Sequence, residues 1–150
     1  MLRTGAIFLS IWSGLNLLLA LGIVIAILLL NENAPALYML FSKPEIQLIE
    51  SRALATINSL AVFLNTGIAA YCALSLVVIW ANLMKNEIWA FRGLLASSIF
   101  IQIGGYVSDS FLGGNNFIAI TVGVVILSVG FGLSGYAIFN QRRALNKEAA

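Results

Sequence analysis

The residues that could do chemistry in this chain are few: six acidic side chains, eight basic ones, a single cysteine and no histidine among 150 residues. Lacking histidine, the chain cannot ligate haem through paired imidazoles, and it has neither the commonest zinc ligand nor the usual general base. Cys72 has no second thiol to exchange with, which excludes the Cys-x-x-Cys chemistry of quinone-linked thiol oxidoreductases. Neutral amides and hydroxyls remain. Asn16 stands alone, Asn58 and Asn65 are seven residues apart on one helical face, and Gln102 shares a face with Ser98 and Asp109. Such groups can hydrogen-bond one another across helices, or hold the polar end of a small molecule.

The ionisable candidates are Glu50, Arg52 and Asp109, each at the edge of an apolar run, and Arg52 with Asp109 could form an interfacial ion pair. No carboxylate lies in the middle of an apolar run, so transport through a buried acidic residue lacks its expected group. Small multidrug exporters carry a carboxylate in their first span, where this chain has Ser10, Ser13 and Asn16. No nucleophile, acid–base pair or metal-ligand cluster emerges, and the expectation is a protein without catalytic residues, metal or cofactor.

These groups must be held by an all-α fold in a bilayer. Hydrophobic residues make up 61% of the chain and charged residues 9%, against roughly 25% charged in a soluble domain. A spanning helix needs about 20 apolar residues, and four such runs nearly fill the chain. They cover about 5–30, 53–80, 88–108 and 117–139, a single membrane domain over residues 1–150. The first is too long for a signal peptide. Short connections at 81–87 and 109–116 imply an up-down four-helix bundle. Between Pro35 and Pro44, the apolar cluster Leu37 to Phe41 predicts a short interfacial helix in the first outer loop. Gly113-Gly114-Asn115-Asn116 is turn chemistry.

With four spans both termini share a side, together with the connection between spans two and three. Arg3, Lys85, Arg92, Arg142, Arg143 and Lys147 fall there, and only Lys43 and Arg52 fall opposite. Under the positive-inside rule the first side is cytoplasmic, as for a bacterial inner-membrane protein. Trp80 and Trp89 flank the inner loop as interfacial anchors. So few charges argue against nucleic acid as a partner. In this orientation Asn58, Asn65, Gln102, Tyr106, Asp109 and Thr121 all lie in the outer half. The first five are the expected binding residues of an outward polar crevice.

Span four carries Gly123, Gly130, Gly132 and Gly135 with Ser128 and Ser134. Small residues let membrane helices approach closely. Ser128, Gly132 and Gly135 are expected to form the packed face, with Leu127 toward lipid.

Pro35 and Pro44 in the long outer connection, Glu50-Ser51-Arg52-Ala53 opening span two, and Gly104-Gly105 ending span three ahead of Gly113-Gly114 together resemble uncharacterised bacterial four-span proteins of DoxX-like layout. The resemblance implies a four-span fold and no particular activity. The leading expectation is a non-enzymatic protein that binds a membrane lipid or apolar small molecule in the crevice. The alternative is a structural or assembly subunit, docking a membrane-protein partner or a second copy through the glycine-rich fourth span.

Overall fold

The computed structural model describes residues 1–30, 51–111 and 117–148. The expected interfacial helix between Pro35 and Pro44, Glu50, and the turn at Gly113 to Asn116 lie outside the described residues. The fold is all-α, built from α1 (Leu2–Leu30), α2 (Ser51–Ala81), α3 (Ile88–Phe111) and α4 (Phe117–Glu148). A short 3₁₀ turn at Leu83–Lys85 joins α2 to α3. All four helices are long and apolar enough to cross a membrane, which makes the chain an integral membrane protein.

The helices outrun the apolar stretches that mark them. α4 continues from Asn140 to Glu148 beyond its last large apolar residue of the span, Phe139. Backbone hydrogen bonding does not depend on side-chain polarity, and Arg142, Arg143, Ala144, Leu145 and Lys147 are good helix formers. At 1.5 Å per residue this extension reaches about 13 Å past the apolar span. The 3₁₀ turn ends at Asn86, whose left-handed backbone (φ 62°) lets its N–H bond the Leu83 carbonyl at 2.9 Å. Asparagine tolerates that region better than most residues.

The chain forms two compact units. One comprises residues 14–73, and its core joins Ile27 of α1 to Leu54 of α2, with Ile23, Ile57, Ala61 and Val62 packed around them. The other comprises residues 1–13 and 74–150. Its core gathers Ala6, Leu9, Ile79, Leu83, Ala90, Phe91, Leu94, Leu127, Phe131 and Ile138, so the start of α1, the end of α2, the 3₁₀ turn, α3 and α4 all contribute.

Within this larger unit α1 lies antiparallel against α4. A Cβ added at Gly5 would collide with the Ser134 hydroxyl, and would lie 2.7 Å from the Gly130 carbonyl oxygen and 2.8 Å from the Ser134 nitrogen. A Cβ at Gly130 would meet the Leu9 side chain at 2.8 Å, and one at Gly123 would run into the Trp12 indole. Positions 5, 9 and 12 thus meet 134, 130 and 123 in reverse order, and glycine permits the close approach.

This arrangement corrects the expected packed face. Gly132 and Ser128 are exposed, and nothing lies within 4 Å of a Cβ built on Gly132. Leu127, expected toward lipid, belongs to the core. The packed face of α4 is Gly123, Leu127, Gly130, Phe131, Ser134, Gly135 and Ile138. Residues 123, 127, 130, 134 and 138 follow the spacing i, i+4, i+7, i+11 and i+15 of one helical stripe, about 120° or more around from Gly132, and Gly135, alone of the expected face, packs at its edge.

Candidate functional site

Where α3 and α4 run side by side, their facing surfaces leave a groove of about 290 Å³. Leu95, Ile99 and Ile103 from α3 and Val124, Leu127 and Phe131 from α4 make its walls apolar. Spacing on α3 explains the lining: residues 95, 98, 99, 102, 103 and 106 recur at three and four, so one face of the helix looks along the groove for about 16 Å.

Both ends of the groove are held by aromatic contacts. At one end Tyr106 and Phe117 lie with ring centroids 5.4 Å apart, and the Tyr106 hydroxyl is 2.9 Å from Thr121 Oγ1. Thr121 donates its only hydroxyl hydrogen to the Phe117 carbonyl at 2.8 Å, so Tyr106 is the donor to Thr121. That bond ties α3 to α4 and occupies the tyrosine's hydrogen. At the other end Phe131 packs edge-on to Phe91 at 5.9 Å, and Phe91 in turn to Phe139 at 6.1 Å.

Between these ends the polar groups are Ser98, Gln102 and Ser128. Gln102 is half-buried, and its amide makes no hydrogen bond among the described residues. A primary amide offers two donors and two acceptor lone pairs. Leaving them unmet against apolar walls costs free energy that a polar partner in the groove would recover. The groove can therefore take a hydrocarbon body with one hydrogen-bonding group placed opposite Gln102. Its volume is at the small end of ligand sites, roughly 300–1,000 Å³, which suits one chain better than a whole lipid.

Of the five expected binding residues, Gln102 and Tyr106 line this groove. Asp109 is buried near the end of the same helix, one turn beyond Tyr106 and outside the lining. Asn58 and Asn65 belong to the smaller unit. Asn58 is buried there, and Asn65 is half-buried with its Nδ2 donating to the Ala61 carbonyl of its own helix at 2.8 Å. Arg52, the other member of the expected ion pair, is exposed at the start of α2 in the smaller unit, whereas Asp109 is in the larger.

The apolar walls were not singled out from the sequence, although a signal existed. Extending the Ser98–Gln102 face by one turn in each direction gives Leu95 and Tyr106. The α4 side carried no such marker, because Val124, Leu127 and Phe131 sit in a helix apolar on every side. No family model, curated protein or solved structure matches this chain.

Proposed function

We propose that this membrane protein binds a lipid or similar apolar molecule, without acting on it chemically, by taking one hydrocarbon chain into the α3–α4 groove. The observation that carries the reading is the Gln102 amide, facing an apolar groove with no hydrogen-bond partner among the described residues. A chain lying along Leu95, Ile99, Leu127 and Phe131 would present its carbonyl or ester end to Gln102. The body of the chain would extend toward Phe131, and the polar end toward Tyr106. The Tyr106–Thr121 bond then sets the helix separation at the mouth.

Native mass spectrometry of the detergent-released protein tests this reading. Gln102→Leu is expected to reduce co-purifying lipid severalfold, because leucine fills the space and removes both donors and acceptors. Ser97→Ala serves as the control, since Ser97 lies outside the groove lining and bonds the Gly93 carbonyl of its own helix at 2.8 Å. Unchanged lipid content in a folded Gln102→Leu protein would overturn the groove reading and favour the assembly subunit.

The six-to-two division of basic residues supports an orientation with both termini in the cytoplasm, in a bacterial inner membrane. The groove's Tyr106 end then faces outward. In a Cys72→Ala background, Lys43→Cys is expected to react with an impermeant thiol reagent in intact cells, and Lys85→Cys only after the membrane is opened. The reverse pattern would invert the topology. The DoxX-like kinship is proposed on the same footing, from the sequence layout alone.

A further inference from the structure

We propose that the larger unit carries a second lipid site, separate from the groove: a basic collar that binds the phosphate of anionic phospholipids. The collar is assembled from four separate stretches of chain. Arg3 follows Leu2, Lys85 follows Met84, Arg92 follows Phe91, and Arg142 lies four residues beyond Ile138. Leu2, Met84, Phe91 and Ile138 all belong to or pack on one core cluster. Phe91 meets Phe139 and the Gly135 position on α4, and Gly5 meets Ser134, so these cations lie within about two helical turns of one another at one end of the unit. Arg143 adjoins them on the α4 extension.

All five side chains are exposed, and none makes a hydrogen bond or ion pair among the described residues. The only acidic side chain described at this level is Glu87. Trp80 and Trp89 are both exposed beside the 3₁₀ turn, as amphipathic rings are where headgroups meet hydrocarbon. Unpaired cations at that depth sit in the plane of lipid phosphates.

The chemistry favours phosphate over a diffuse negative field. Four of the five cations are arginine, whose planar fork matches phosphate oxygens two at a time, where lysine offers a point charge. The charges are spread around one end over four segments rather than along one helix. Several small anions fit that distribution better than a single acidic peptide or nucleic-acid strand. In the proposed orientation the collar faces the leaflet that carries anionic lipid.

The test compares phosphatidylglycerol with phosphatidylcholine of identical acyl chains, so that chain binding in the groove contributes equally to both. Adducts are counted by native mass spectrometry of the full chain in detergent. Each basic residue near a membrane surface is worth about fivefold in anionic-lipid binding. Wild type is thus expected to prefer phosphatidylglycerol by roughly tenfold or more, and Arg142→Gln/Arg143→Gln to lose most of that preference. Arg142→Lys/Arg143→Lys should retain part of it, since charge survives and the fork does not. If the glutamine variant does not fold, the wild-type preference and its weakening in high salt decide the matter. Equal binding of both lipids by wild type, or an unchanged preference in a folded glutamine variant, would overturn the collar. Displacement of phosphatidylglycerol by millimolar inorganic phosphate would overturn the assignment to lipid, leaving free phosphate as the ligand.

Discussion

Gly5→Ala is expected to lower the thermal stability of the detergent-solubilised protein clearly, while Gly132→Ala leaves it unchanged or slightly raised. The two substitutions are chemically identical, and both are made within helices. At Gly5 the new methyl would meet the Gly130 carbonyl and the Ser134 nitrogen below 3 Å, and these are backbone atoms that cannot rotate away. α1 and α4 would have to separate, and forcing atoms into a packed interface costs typically about 1–3 kcal/mol. At Gly132 the methyl would enter open space, and alanine is the better helix former by roughly 0.5–1 kcal/mol. Gly130→Ala should fall between, because the Leu9 side chain it meets can change rotamer. Ser134→Ala supplies a check on the same contact. Ser134 is 0% exposed and its hydroxyl has no hydrogen-bond partner among the described residues, so its removal should be neutral or stabilising. Thermal unfolding followed by circular dichroism measures all four. Equal melting temperatures for Gly5→Ala and Gly132→Ala would mean that the helices do not meet at Gly5.

Phe91→Ala should be among the most damaging single truncations, and Phe100→Ala, nine residues along the same helix, nearly silent. Phe91 is 7% exposed, stacks edge-on against Phe131 and Phe139, and lies with its ring tip against Gly135. Its removal leaves a cavity among Phe131, Phe139 and Gly135. Comparable truncations in packed cores cost about 3–5 kcal/mol, and each aromatic pair adds roughly 0.5–1.5 kcal/mol beyond burial. Phe100 is 76% exposed on a helix that spans the membrane. Lipid surrounds its ring whether the helices are packed or apart, so losing it changes association little. Reversible unfolding in mixed micelles, with denaturing detergent as titrant, gives both differences. Similar costs at the two positions would show that the core has been assigned to the wrong face of α3.

The contrast between these phenylalanines shows where reading residue types stops. Both stand in the same apolar run, and nothing local separates them. In a soluble helix, polar residues on the outer face would have marked the inner one. In a membrane helix both faces are apolar, and the marker is lost. The same limit put Gly132 on the packed face and Leu127 toward lipid, the reverse of the structure. Glycine signals that close approach is possible somewhere, and the position of the neighbouring helix decides which glycine is used.

Polar residues carried more information, because each is costly in a bilayer wherever it is unpaired. Ser98, Gln102 and Asp109 stood out at helical spacing and Tyr106 by its depth, and the structure sets Ser98, Gln102 and Tyr106 along one groove with Asp109 outside its lining. Asn58 and Asn65 stood out equally, yet they fall in the other compact unit, and Asn65 spends its donor on its own helix. Residue type and spacing alone do not distinguish an amide that faces a groove from one that caps a carbonyl in the preceding turn.

The sequence by itself determined the all-α fold, the number of long apolar helices and their approximate limits, because backbone groups in hydrocarbon must be satisfied within each segment and helix length is set by bilayer thickness. Only the tertiary structure decided which stripe of each helix is packed, that Gly5 rather than Gly132 meets another helix, and that Gln102 faces an apolar groove between α3 and α4. Those choices depend on which helix lies beside which and at what rotation, and short-range van der Waals fit settles them where no contrast between water and oil exists to write them into the residue pattern.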